Sequence, residues 1–174
     1  MEGFRVTDRA AAPRGYRGLR SSELQPSKGR SLRACSSAGD PLTPEVITWA
    51  QQQLGVPVRD HYGQTELGMV IVNGWHRDIR EDLKPGSMGR AMPGFSAAVL
   101  QEGKDTPGPA GVQGRLAIDV PASPLMWFTG YAGDPARTAE RFTDDGRWYV
   151  CGDVATLDDA GSFFFSSRDD DVII

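Results

Sequence analysis

The sequence predicts an α/β fold in which a partial parallel sheet, built on a βαβ unit, is followed by a smaller β-rich lobe. Two short apolar runs flank one helix-length segment between residues 31 and 58, which is the spacing of a strand, a helix and a parallel strand. Beyond Pro85 the pattern changes to short apolar stretches bounded by glycine and proline, the mark of antiparallel β-structure. With 174 residues, 39% hydrophobic and 24% charged, the chain can bury one ordinary core split between two lobes. The division is placed at residue 85, with 1–85 as the α/β part and 86–174 as the β-rich part.

Along the chain, Val6 to Leu19 has weak helical character and residues 25–30 form a polar loop. Ser31 to Ser37 reads as a short strand, and Ala38-Gly39-Asp40-Pro41 as the turn that follows it. Thr43 is a favourable N-cap, Pro44 fits the first helical position, and Val46, Ile47, Ala50 and Leu54 recur at helical spacing up to a stop at Gly55. A second strand begins at Val56. In a parallel sheet ligands gather at the carboxyl ends of strands, and the two loops expected there are Ser37 to Pro41 and Asp60 to Glu66. Lys84 to Gly89 is a turn-rich link. Ser96–Leu100 and Gly114–Val120 follow as strands around a Gly/Pro loop. Pro135 to Phe142 is a short helix opened by Asp134. Trp148–Val150 and Ser162–Phe165 flank the turn Asp158 to Gly161.

Charge narrows the function classes. Residues 1–35 hold eight Arg or Lys against Glu2, Asp8 and Glu23, a net +5, so the remainder is −9 within a chain of −4. The basic segment lacks the interleaved aromatic residues of a nucleic-acid surface and reads as a solvated helix face. An organellar transit peptide is the other reading, weakened by the three acids and by Pro13, Gly15, Gly18 and Pro26. No apolar run approaches the roughly 20 residues that span a bilayer, so a cytoplasmic protein without a membrane span is expected. Cys35 and Cys151 have no metal or redox spacing, and with only His61 and His76 no zinc site is expected.

The chemistry concentrates in Asp60-His61-Tyr62-Gly63-Gln64-Thr65-Glu66. Thr65 can donate to a phosphate, and Glu66 offers the hard oxygen that Mg2+ prefers. The same pair would also suit the N-terminal cap of a helix. Asp153, in Tyr149-Val150-Cys151-Gly152-Asp153, has two acceptor oxygens that match the adjacent hydroxyls of a ribose, or it is a turn aspartate after glycine. Tyr62 suits stacking on a base or packing in a core. Ser167-Arg168-Asp169-Asp170-Asp171 is a third charged cluster near the C-terminus.

These blocks in this order, together with Ser37 to Leu42, Lys84 to Arg90, Gly130-Tyr131, and Asp134-Pro135 with Thr138-Ala139 and Phe142, resemble the adenylate-forming ligases. The similarity is greatest to medium-chain-type acyl-CoA synthetases. It implies an acid–thiol ligase that converts a carboxylic acid and ATP to an acyl-adenylate and passes the acyl group to CoA, with ATP/AMP and Mg2+ bound. An adenylation domain loading a carrier protein and a non-catalytic nucleotide-binding remnant are the alternatives. By resemblance Gly39, Asp40, Pro41, Asp60, Tyr62, Gln64, Thr65, Asp153 and Arg168 would hold the nucleotide. Thr65 and Glu66 would serve catalysis and Glu66 the metal. Asp170 would be the hinge about which a small C-terminal domain turns, although Ser167 and Asp169 depart from the family pattern. Gly63 would leave room for a medium-chain or aryl acid, unless it serves backbone geometry alone. The family's phosphate loop and its lysine-bearing C-terminal domain have no counterpart in these 174 residues. A truncated large domain is therefore expected, inactive or binding-only by itself and prone to self-association. Trp49, Leu54, Val70, Ile71, Val72 and Val172-Ile173-Ile174 are the apolar residues expected to be exposed.

Overall fold

The computed structural model describes residues 6–22 and 31–168. Its elements run β1 (Asp8–Ala10), α1 (Pro13–Ser21), β2 (Ala34–Ala38), α2 (Pro44–Leu54), β3 (Val58–Gln64), β4 (Gly68–Val72), β5 (Ser87–Ala91), β6 (Ala97–Leu100), β7 (Gly114–Asp119), α3 (Pro135–Ala139), β8 (Trp148–Leu157) and β9 (Phe163–Arg168). The strands form one mixed sheet in the order β1-β2-β3-β4-β5-β9-β8-β7-β6. β1, β2 and β3 are mutually parallel, and every other pairing is antiparallel. The expected α/β class with a parallel part and a β-rich part is the architecture observed. β5 joins the two parts by pairing with β4 on one side and β9 on the other.

α2 begins and ends where its sequence dictates. Pro44 sits at the first turn, Val46 and Ala50 face the core, and Gly55 closes the helix in the left-handed conformation at φ 73°. The segment from Val6 to Leu19 is not one helix. Residues 8–10 are drawn into β1 by pairing with β2, and Pro13 then opens α1. Tyr16 anchors that basic helix: its ring is fully buried, and its hydroxyl donates to the Ser36 carbonyl at 2.9 Å. Arg14, Arg17 and Arg20 remain exposed on the opposite side.

Three further expectations are corrected. Asp60 to Gln64 is not a loop but the second half of β3, and only Thr65 to Leu67 turns. β4 was not anticipated; in it Val70 and Ile71, expected to be exposed, are completely buried because strands on both sides pair with β4 and place them in the larger core. Trp49, Leu54 and Val72 are half-buried. Ser87 and Gly89, assigned to a link, belong to β5, where the Ser87 hydroxyl donates to the Phe163 carbonyl of β9 at 3.2 Å. Residues 172–174 lie outside the described residues.

Two main clusters form the interior. Tyr16, Cys35, Leu42, Val46, Ala50 and Val58 pack α1 and α2 on the parallel strands. Leu67, Val70, Ile71, Met88, Leu116, Ile118, Tyr149 and Phe163 bind β4, β5, β7, β8 and β9 into the second cluster. Tyr62 packs against the second cluster from β3, at the seam between the two.

Candidate nucleotide-binding site

The carboxyl end of β3, which runs beside that of β2, meets the middle of β8. Register pairs Ser37 with Asp60 and Ala38 with His61, so the exposed turn Gly39-Asp40-Pro41 leaves the sheet beside Tyr62. β3 bulges between Tyr62 and Gly63 against β4. A Cβ at Gly63 would stand 2.1 Å from the Gly68 carbonyl oxygen, so the close approach of the two strands requires glycine there. That requirement is independent of any acyl pocket.

Asp153 is the centre of a bonded group drawn from three strands. It is 4% exposed and pairs in register with Arg168. The Tyr62 hydroxyl donates to its Oδ2, Gln64 Nε2 donates to the same oxygen at 3.1 Å, and Arg168 Nε lies 3.6 Å from Oδ1. Gln64 ties this group to the backbone by donating to the Cys151 carbonyl at 2.7 Å, and its Oε1 accepts from the Tyr149 hydroxyl at 3.1 Å. Burial, joined by the Asp153 charge, pushes the Tyr62 hydroxyl far above its ordinary pKa, so it stays a donor. Burial raises the Cys151 thiol to about 12, which makes it an inert core residue.

The Thr65-Glu66 turn projects from the same seam. No helix follows it, so the N-cap reading of this pair is excluded in favour of a β3–β4 hairpin turn closed by Leu67 N–H donating to Gln64 O at 3.1 Å. Thr65 is exposed and its hydroxyl makes no hydrogen bond among the described residues. Glu66 Oε1 accepts from the Tyr131 hydroxyl at 2.7 Å. That bond first, with the charges of Arg141 and Arg137 after it, holds the Glu66 carboxyl below its ordinary range. Tyr131 is itself fixed by its N–H donating to Thr138 Oγ1 at 2.8 Å and by the Arg137 guanidinium 4.2 Å from its ring centroid. Among the described residues no group of three or more His, Cys, Asp or Glu could hold a metal. Glu66 fits Mg2+ as a single carboxylate, the number this ion takes when phosphates and water complete its shell.

Asp60, expected at the nucleotide, is 9% exposed, and its Oδ1 has no hydrogen-bond partner, nor has Ser37 Oγ opposite. Burial raises its carboxyl to about 7 against the weaker pull of the Leu42 and His61 N–H groups. Its side chain therefore supports the strand end from within the interior. Asp170 lies outside the described residues. Tyr149 and Arg141 were not singled out from the sequence. Tyr149 is spaced four residues from Asp153 on a strand, and that period places both toward Gln64. Arg141 carries no sequence signal; only folding brings it to the site.

The class is thus a mixed α/β protein with a buried carboxylate in the middle of β8 and a carboxylate-bearing turn beside it. The chain belongs to the AMP-binding enzyme family, whose pattern it matches over residues 1–131. It is 37% identical over 175 residues to the mitochondrial acyl-coenzyme A synthetase ACSM3 of Rattus norvegicus, covering 100% of this chain and 29% of that one. Among solved structures it is similar to an acyl-CoA synthetase of Brucella canis, with 42% identity, a TM-score of 0.84, and coverage of 98% of this chain and 30% of that one. It is also similar to ATP-bound MatB of Rhodopseudomonas palustris, with 28% identity, a TM-score of 0.85, and coverage of 98% and 32%. The chain thus spans about 29% of the length of the curated relative.

Proposed function

We propose that this chain supplies the adenosine and α-phosphate side of an acid–thiol ligase, which activates a carboxylic acid with ATP and transfers the acyl group to CoA. The observation that supports it best is the Asp153 carboxylate, held by Tyr62 and Gln64 with Arg168 beside it. A carboxylate fixed in this way is ready to accept from the two hydroxyls of a ribose without further ordering. The exposed turn Gly39-Asp40-Pro41 and the Tyr62 ring would border the base. The free Thr65 hydroxyl would donate to the α-phosphate, and Glu66 would hold Mg2+ through the oxygen that Tyr131 leaves unoccupied. Bound Mg2+ would spread the charge of the phosphates.

A medium-chain or aryl acid is the proposed substrate class, and Asp170 the proposed hinge; both follow from the family likeness. The boundary near residue 85 is likewise a proposal. An adenylation role toward a carrier protein is the second reading, since nothing in residues 6–22 or 31–168 distinguishes the thiol acceptor. No helix among the described residues is long and apolar enough to cross a membrane. Cytoplasmic placement is retained for this chain, and subcellular fractionation tests it against the mitochondrial placement that the name of the rat relative carries.

Calorimetric titration of AMP into the chain tests the site directly. Saturable binding that disappears in Asp153→Ala supports the proposal. Binding that survives Asp153→Ala, or no binding by a folded chain, defeats it. Acid-dependent pyrophosphate exchange, measured on a full-length relative carrying the same substitution, reports on the ligase chemistry.

A further inference from the structure

We infer that Arg141 is an anion-binding residue of this site, placed to meet the α-phosphate of a bound adenylate. The inference rests on the proposed nucleotide site and assigns it a cation that the sequence motifs do not contain. Arg141 follows α3 and is anchored through its backbone, its carbonyl accepting from Val150 N–H of β8 at 2.7 Å. Its guanidinium lies over the backbone of the same strand: a Cβ built on Gly152 would stand 3.0 Å from Nη1. A side chain at 152 would crowd the guanidinium, and the φ of 75° at Gly152 independently favours glycine there.

Gly152 adjoins Asp153, the proposed ribose ligand. The guanidinium is also close enough to Glu66 for the Arg141 charge to help hold that carboxyl down. The guanidinium therefore lies near Gly152, next to the proposed ribose ligand, and near Tyr131, which bonds Glu66, and it is here that the inference places the phosphate of an adenylate. Burial works against its charge, but the hydroxyl of Tyr131 and the neighbouring Tyr149 and Glu66 outweigh it and keep the group protonated.

Arg141 is half-buried; its side chain is bonded to the Tyr131 hydroxyl but makes no ion pair within 4.0 Å among the described residues. Another half-buried arginine is ion-paired: Arg115 bonds Asp105 at 2.8 Å. A partly desolvated guanidinium with no carboxylate in ion-pair contact is costly, and an anion that offers two oxygens in its plane recovers that cost. A phosphate monoester has that chemistry.

The test compares adenosine with AMP, which differ by the phosphate alone, in wild-type, Arg141→Gln and Arg141→Lys chains. The wild-type chain should bind AMP more tightly than adenosine, with a preference that shrinks as salt rises. Arg141→Gln should weaken AMP about tenfold, the worth of one charge-assisted contact, and leave adenosine unchanged. Arg141→Lys should recover part of the AMP affinity, since it restores the charge but not the planar fork. An unchanged AMP affinity in Arg141→Gln overturns the inference and leaves the nucleotide site standing. Equal weakening of AMP and adenosine assigns Arg141 a structural role and overturns it as well. A folded wild-type chain that binds neither ligand removes the nucleotide site, and this inference with it.

Discussion

Tyr62 donates its phenolic hydrogen to Asp153 across 91 residues of sequence, and this bond fastens the end of β3 to the middle of β8. The two residues come from opposite sides of β5, one from the parallel half and one from the antiparallel half. A ribose bound at Asp153 would therefore rest on a joint between the two halves. Tyr62→Phe should keep the ring and lose the donor. We expect AMP to bind about fivefold to tenfold more weakly, the worth of one hydrogen bond to a charged group. An unchanged dissociation constant in calorimetry would show that Asp153 does not depend on Tyr62.

Gln64 uses both ends of its amide, and its replacement should be felt in stability before function. In Gln64→Leu the Tyr149 hydroxyl loses its acceptor and Asp153 one of its donors, both in the interior. Urea unfolding should show a loss of about 2 kcal/mol. A change below about 0.5 kcal/mol would mean that water replaces the amide at no cost.

Gly63→Ala adds one methyl where the Gly68 carbonyl oxygen already stands. The hairpin must open or the bulge shift, and the expected cost is about 1–3 kcal/mol by thermal or chemical unfolding. A neutral result would free Gly63 from its backbone duty and leave the acyl-pocket reading as its sole explanation.

The Asp60 carboxyl, raised by burial to about 7 from an ordinary 3.8, gives a pH dependence of definite sign. Between these values the folded chain holds a proton that the unfolded chain has released, so this group's stabilisation is present at acid pH and declines as pH rises toward 7. The full difference is about 4 kcal/mol at most. Asp60→Asn should flatten that decline relative to wild type in unfolding curves taken between pH 4 and 8. Identical slopes in the two proteins would place Asp60 in a more hydrated setting.

Glu66 should separate metal-dependent from metal-independent binding. Removing Mg2+ with EDTA should weaken ATP binding to the wild-type chain and leave AMP binding nearly as it was. Glu66→Gln should bind ATP with the same affinity whether Mg2+ is present or absent. A Mg2+ dependence retained in Glu66→Gln would move the metal site to other ligands.

Local patterns were legible in the sequence because local physics sets them. Thr43, Pro44 and Gly55 bound α2, Asp134 caps α3 by accepting from Arg137 N–H, and the Gly/Pro-bounded runs after residue 85 are strands. The blocks around Tyr62, Thr65 and Asp153 pointed to nucleotide chemistry because those residue types recur in one order with their neighbours. Tertiary structure alone decided the rest. Residues 8–10 are a strand because β2 offers them hydrogen bonds, and Asp60 to Gln64 are a strand because β2 and β4 lie on either side. The burial of Asp60, the phenol that steadies Glu66 and the position of Arg141 depend on contacts between residues far apart in sequence. A local pattern carries dihedral preference and periodicity, but which charge faces which is fixed only when the strands are brought side by side.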